Sequence, residues 1–590
     1  MSPIRRRLDR RPAGHAGRPE FRSAAWVVRV AILAAALYVS LWAWTGHRVG
    51  SAEAAWRAGR LEEAHVILSD AAFWHVRRGR VQDALGVVDL ARGRIDEAAA
   101  HLAAARRGFF HPAAFGEERV LRGFLHEGRL EPARVYADHR ARIREDLSTL
   151  FYLGVAENGL NRLDDAERHL AAAAGAAGTD LAQRAGAQRR LIGEKRRTGR
   201  SDYLLDRNGL PLVGIDLASG RSWLADPSLS GLLDGPWGPR LEAADQAGRV
   251  RLALDLEIQR AAAAALGART GALVVLDVRD GGLLAAASRP ASLPAPGGPA
   301  PLALARTYEP GSILKVLTLS AALRGGVDVG GIFPFACPGW IAIDGLPFRD
   351  WMPHRKVASI DEAIAVSCNL VFGRLGQLVG RDRLNSELRR YGFDYRSEPP
   401  APVRSDFRFE VGALLAEDGA HPNFALARRA EGLDSIEITP IGAALLAAGV
   451  ARGGAPLAPH LIEEKIDILG ESSYRREAPA APDGPLSAAA TALIARVMMA
   501  AVTQTEGTAR RAAVDGLIAA MKTGTSGTNP PGYDALMIGF APAEDPRIAW
   551  ALVAEHAGKA EFEAARITKD FLGRIRDRVL RYDRAARGPS

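Results

Sequence analysis

Tyr308-Glu309-Pro310-Gly311-Ser312-Ile313-Leu314-Lys315, running into the apolar segment 316–323, decides how this chain is read. Pro-Gly fits poorly inside a helix, so the spacing predicts a helix that begins near Ser312. A serine in the first turn stands at the positive end of the helix dipole, which favours developing negative charge. Lys315, three residues on, falls on the same face. Desolvation in so apolar a helix lowers a lysine's pKa and makes its neutral amine available as a base. A Ser-x-x-Lys spacing is common by chance, so its weight depends on what else the chain carries.

Two further stretches give it that weight. Ser367-Cys368-Asn369 follows the helical segment 360–366, and without a partner motif it would read as an ordinary cap or turn. Met521-Lys522-Thr523-Gly524-Thr525-Ser526-Gly527 lies between two apolar strand candidates, 517–521 and 535–541. Lys-Thr-Gly on a strand edge presents a cation, a hydroxyl and a backbone N–H to one ligand, and Gly524 would allow that ligand to come close to the backbone. Composition supports the same residues. Of 77 basic residues only seven are lysine (Lys195, Lys315, Lys356, Lys465, Lys522, Lys559 and Lys569), and two of these fall inside the motifs. Arginine could not replace them as a base, because it does not deprotonate. The other five read as surface positions.

Ser-x-x-Lys, Ser-x-Asn and Lys-Thr-Gly in this order resemble the penicillin-binding protein and serine β-lactamase superfamily. The flanks share the resemblance to its monofunctional, high-molecular-mass members: Asp206-Arg207-Asn208-Gly209, Leu254-Asp255-Leu256-Glu257-Ile258-Gln259, the strand pair in 271–288 and Gly539-Phe540-Ala541-Pro542. The similarity runs from about Tyr203 to Arg578. It implies an α/β (α+β) core, an antiparallel sheet flanked by helices. It also implies roles. Ser312 would attack the carbonyl of a D-Ala-D-Ala stem peptide and Lys315 would take its proton. Ser367 would pass a proton to the leaving amine, and Asn369 would bind the substrate amide. Lys522, Thr523, Gly524 and Thr525 would receive the terminal carboxylate, and the backbone N–H groups of Ser312 and Thr525 would form the oxyanion hole. β-Lactams would acylate Ser312, and neither cofactor nor metal is implied.

Departures narrow the reading. Asn369 fits the transpeptidase branch, where class D β-lactamase-like drug sensors resemble Ser-x-Val. Leu384-Asn385 is preceded by Arg381 where a class A β-lactamase would need its deacylating glutamate. Two alternatives stay open: a D,D-carboxypeptidase or endopeptidase using the same acyl-enzyme, and a non-catalytic repeat scaffold with a vestigial transpeptidase fold. Asp350, His354 and Glu309 read as loop and turn residues without a role.

Upstream, the chain has other business. Its net charge of +9 suggests nucleic acid, but seven arginines against Asp9 and Glu20 in residues 1–22 supply most of it. The remainder is too small for a basic binding face, and no nucleic-acid partner is expected. The apolar stretch 24–44 carries one charge, Arg29, and has Trp26, Trp42 and Trp44 near its ends, the pattern of a transmembrane helix. With the arginines before it, the N-terminus is expected in the cytoplasm and the bulk outside the inner membrane. A cleaved signal is disfavoured, since no Ala-x-Ala-like site follows.

Between the span and the core, a Gly-Arg-apolar-acidic phrase recurs at Gly59, Gly93 and Gly128, and as Asn161-Arg162-Leu163-Asp164-Asp165-Ala166. A period of about 34 residues is that of tetratricopeptide-like helical hairpins. A further copy at Gly79-Arg80 is out of phase. Such a solenoid offers a groove for a partner that the sequence does not name, or serves as a spacer that holds the C-terminal domain away from the membrane; a glycosyltransferase or another cell-wall protein would suit the family, because repeats occupy the place of a glycosyltransferase domain. The expected organisation is a basic tail 1–23, a span 24–46, repeats 50–200, a linker or N-terminal lobe 201–265 and a transpeptidase domain 266–580. Cys337 and Cys368 are too few for a disulfide framework or a four-cysteine zinc site, and the sequence leaves open whether they pair.

Overall fold

The computed structural model describes residues 20–107, 113–175, 178–230, 248–291, 301–394, 409–417, 419–477, 485–528 and 532–581. Residues 1–19 of the expected basic tail 1–23 therefore lie outside the described residues. The chain divides into two compact units, Met1–Ile192 and Gly193–Ser590.

The first unit is helical. Its leading helix α1 (Glu20–Arg57) is the one described helix long and apolar enough to cross a membrane. Residues 26–40 are exposed along it, whereas Thr45, Val49, Ala52 and Ala55 are buried. That spacing is one helix face, so the expected boundary near residues 46–50 falls inside one continuous helix. The chain continues through α2 (Leu61–Phe73), α3 (Arg78–Ala91), α4 (Ile95–Arg106), α5 (Glu117–His126), α6 (Leu130–Ala141), α7 (Leu147–Gly159), α8 (Leu163–Ala173) and α9 (Asp180–Thr198).

The repeated phrase is the loop of four hairpins, α1/α2, α3/α4, α5/α6 and α7/α8. Gly59, Gly93, Gly128 and Asn161 take φ of +72°, +80°, +69° and +59°. A left-handed residue just past a helix end lets the chain reverse, which favours Gly and, next best, Asn. The arginine that follows stands at the N-cap position of the next helix without a side-chain capping bond, acidic residues fill its first turn, and Ala64, Ala98, Ala133 and Ala166 are fully buried. A Cβ on Gly86 would meet Leu102, and one on Gly154 would meet Leu170, the same contact two periods apart. The out-of-phase Gly79 lies inside α3 and makes no hairpin.

The second unit holds a five-stranded sheet in the order Ala520–Thr528, Gly532–Ala541, Ile548–Ala554, Gly271–Asp277, Leu283–Arg289, antiparallel throughout. Its central strands are buried at every position of Gly271–Asp277 and Ile548–Ala554, so both faces are covered. The buried helix Pro440–Ala451 packs on this sheet, as do Leu256–Leu266 and Glu563–Arg581. This is the predicted antiparallel sheet flanked by helices.

A second sheet is where the expected boundary between 201–265 and 266–580 gives way. Six strands run Ser472–Arg475, Ile462–Asp467, Gly248–Leu252, Arg200–Leu205, Pro211–Asp216, Ser222–Leu224. Two of them come from far down the chain and close on the early strands, with Lys465 opposite Val250. The Asp206–Gly209 turn joins the Arg200–Leu205 and Pro211–Asp216 strands, as its composition predicts.

Candidate active site

Ser312 sits on a 3₁₀ turn, Gly311–Leu314, that runs directly into the helix Lys315–Arg324. The turn needs its glycine: Gly311 has φ +54°, and a Cβ there would lie 2.7 Å from the Thr525 carbonyl oxygen. Gly311 N–H donates to the Gly432 carbonyl at 2.8 Å, and a Cβ on Gly432 would meet the Gly311 carbonyl at 2.1 Å. The Ser312 turn is thus wedged between the strand carrying Lys-Thr-Gly and the end of the helix Pro422–Glu431.

Ser367 is positioned by a helix end. After Ile360–Ala365, the Cys368 N–H reaches back to the Ala363 carbonyl and the Ser367 N–H to that of Ile364. This is a Schellman closure with Ser367 in the left-handed position, φ +57°, that glycine usually fills. A serine there costs about 1 kcal/mol of strain, and strain of this kind persists where the surroundings over-determine it. Here the surroundings are two lysines. Ser367 Oγ lies 3.3 Å from Lys315 Nζ and 2.9 Å from Lys522 Nζ. Lys315 also donates to the Ser367 carbonyl at 2.7 Å and to Asn369 Oδ1 at 2.6 Å. Both amines are fully buried. Burial pushes both lysine pKa values down, and for Lys522 the neighbouring Lys315 charge adds to the effect.

The strand Ala520–Thr528 forms the sheet edge, so one row of its backbone groups has no strand partner and can face a ligand. Thr523 Oγ1 donates to Thr508 Oγ1 at 2.8 Å, and Thr525 Oγ1 accepts from the Ala560 N–H at 3.2 Å. Gly524 also has a packing role. A Cβ on it would come within 2.8 Å of the Pro310 carbonyl oxygen and 3.2 Å of the Ile313 nitrogen. The close approach it permits is that of the nucleophile turn to the strand.

Ser312, Ser367, Asn369, Thr523 and Thr525 line one cleft of about 380 Å³, with Lys315 and Lys522 beneath Ser367. Trp351 and Glu431, which the sequence reading passed over, also line it, and Asp350 and Glu309, read there as loop residues, lie around it. Trp351 lines the cleft and donates its indole N–H to the Val366 carbonyl at 3.0 Å. Asp350 Oδ2 accepts the Asn369 N–H at 3.1 Å, and Glu309 accepts the Asp434 N–H at 2.9 Å, so both hold loops around the motifs. Glu431 brings a buried carboxyl into the lining. Burial raises its pKa to about 7, against the opposing pull of Arg428 and Lys315. Of the lysines read as surface residues, Lys559 is exposed but lines the cleft, and Lys195 is buried. The short Asp350-x-x-x-His354 spacing between two cysteines was the available signal for this loop.

A serine at a helix start, two desolvated amines joined through a second serine, and an exposed strand edge form an arrangement that can support acyl transfer. The comparisons agree with that class. Residues 271–573, half of the chain, match the penicillin binding protein transpeptidase domain, and the chain belongs to that family. Peptidoglycan D,D-transpeptidase PbpA of Mycolicibacterium smegmatis is 31% identical over 271 residues, covering 43% of this chain and 51% of that protein. The chain thus spans about half the length of the curated relatives it matches. The D,D-transpeptidase domain of a peptidoglycan glycosyltransferase from Eggerthella lenta superposes with a TM-score of 0.54 at 23% identity, covering 65% of this chain and 99% of that one. Penicillin-binding protein A of M. tuberculosis, as its penicillin G acyl-enzyme, gives 0.54 at 22% identity, covering 64% and 99%. These two likenesses establish the fold.

Proposed function

We propose that this chain is a membrane-anchored serine D,D-transpeptidase that cross-links peptidoglycan stem peptides and is acylated by β-lactams. The observation that carries this reading is the placement of Ser367 Oγ between Lys315 and Lys522, beside Ser312 and the strand edge. Ser312 Oγ attacks the penultimate D-Ala carbonyl while neutral Lys315 takes its proton. The tetrahedral oxyanion is held by the backbone N–H groups of Ser312 and Thr525, each worth about 3 kcal/mol in a comparable hydrolase. Collapse of the intermediate expels D-Ala, whose amine receives a proton through Ser367. Asn369 holds the peptide amide, and Lys522, Thr523 and Thr525 hold the terminal carboxylate, while Gly524 keeps strand and nucleophile together. An acceptor amine on a neighbouring stem then displaces Ser312, which regains its proton.

The apolar part of α1 serves as the anchor, with the arginine-rich N-terminus in the cytoplasm and the catalytic unit outside the inner membrane. The helical hairpins act as a tetratricopeptide-like surface for a glycosyltransferase or another cell-wall partner. A pull-down through the hairpins that recovers no such enzyme would remove this part. The catalytic proposal is tested by fluorescent penicillin: the wild type should carry a stable covalent label and Ser312→Ala none. Absence of label on both would sink it.

A further inference from the structure

Counting cysteines alone argued against a metal; counting donors in space argues for one. Cys337 Sγ lies 3.7 Å from Cys368 Sγ, 3.3 Å from Asp350 Oδ2 and 3.6 Å from His354 Nδ1. His354 Nδ1 lies 3.2 Å from Asp350 Oδ2. The four donor atoms all fall within 4.8 Å of one another. A tetrahedral zinc ion with bonds of about 2.3 Å to sulfur and about 2.1 Å to nitrogen or oxygen spaces its ligands at about 3.7 Å for two sulfurs and about 3.4–3.6 Å for mixed pairs. The four edges given above lie within about 0.3 Å of that geometry.

The surroundings match the same chemistry. Both cysteines are fully buried, and the Asp350 and His354 side chains are 0% and 7% exposed. Four elements supply the ligands: the strand Phe335–Cys337, the turn after Leu346–Arg349, the approach to Arg355–Val357, and the junction before the helix Asn369–Val379.

We propose that Cys337, Asp350, His354 and Cys368 bind one zinc ion in a closed, four-ligand site. Binding releases the two thiol protons to solvent; two thiolates, one carboxylate and a neutral imidazole take up the dication. All four positions are filled by protein, so the ion is structural and takes no part in the acyl transfer. Its place gives it a task. Cys368 stands between Ser367 and Asn369, and Asp350 accepts the Asn369 N–H. The ion therefore ties the strained Ser367 turn to the two flanking loops, and it keeps two adjacent thiols from oxidising to a disulfide in an extracytoplasmic compartment.

The test is elemental analysis of the purified full-length chain, alongside free-thiol titration and intact mass. We expect about one zinc per chain, masked thiols, and loss of the metal in Cys337→Ser. Cobalt exchanged into the wild type should give thiolate-to-metal charge-transfer absorption, a readout that needs neither a variant nor activity. Chelation should lower the melting temperature and slow penicillin labelling, and zinc should restore both. Only the labelling arm rests on the proposed function; metal content and cobalt spectrum do not. A metal-free chain, whether its thiols are freely reactive or joined as Cys337–Cys368, would overturn the site.

Discussion

The two units are built on opposite principles. In the helical unit every hairpin closes locally: the left-handed residue, the arginine after it and the buried alanine lie within a few positions of each other. In the catalytic unit the decisive contacts are distant in sequence. Lys522 reaches Ser367, Gly432 braces Gly311, and strand Ile548–Ala554 pairs with Gly271–Asp277. The contrast shows why a repeat announces itself by period, whereas an acyl-transfer site announces itself only as separate motifs awaiting a fold.

The largest expected effect separates chemistry from architecture. Ser312→Ala should abolish penicillin labelling completely while leaving the melting temperature of the full chain within a degree or so. A large loss of stability instead would mean that the side chain also holds the turn.

Glycines sharpen the contrast next. Gly432→Ala places a methyl group against the Gly311 carbonyl at a φ of +93°, and should cost about 3 kcal/mol through overpacking and strain. Labelling should slow at least tenfold. Gly93→Ala in the helical unit meets no atom within 4 Å, so only its φ of +80° matters. It should cost about 1 kcal/mol and leave the labelling rate unchanged. Equal costs at the two sites, read from denaturant midpoints, would break the distinction.

Glu431 gives a pH signature that belongs to the catalytic unit. Its folded pKa of about 7 stands above the ordinary 4.5, so between those values the folded chain retains a proton that the unfolded chain has released. Stability therefore falls as pH rises from about 4.5 to about 7 and then levels, by roughly 3 kcal/mol at most. Glu431→Gln should flatten that slope, although it weakens the 2.6 Å bond from Arg428 at every pH. Melts at about pH 5 and about pH 8 measure the slope, and an unchanged slope would refute the assignment. The smallest effect returns to the hairpins: Asn161→Gly should stabilise by about 0.5 kcal/mol, since glycine takes the left-handed position more readily.

Particular residues mark how far the sequence could be read. Ser312, Lys315, Ser367, Asn369 and Lys522 were legible because their spacings are short and their order is specific. Gly59, Gly93, Gly128 and Asn161 were legible because a helix stop repeats. Glu431, Trp351 and Thr508 carry no local signature; they reach the cleft only once the Pro422–Glu431 helix, the loop after Arg349 and the segment before the edge strand are packed. Gly524 was singled out for the lack of a side chain, and the packing reason for it, a close approach to Pro310, is visible only in the fold.

By itself the sequence determined the periodic helical hairpins, the apolar stretch that heads α1, the three motifs and their order, because each depends on residues a few positions apart. Tertiary structure alone decided that Ser367 bridges two buried lysines, that late strands complete the early sheet, and that two cysteines meet an aspartate and a histidine. Those outcomes depend on burial and on distances between segments tens to hundreds of residues apart, and neither is a property of any local stretch of chain.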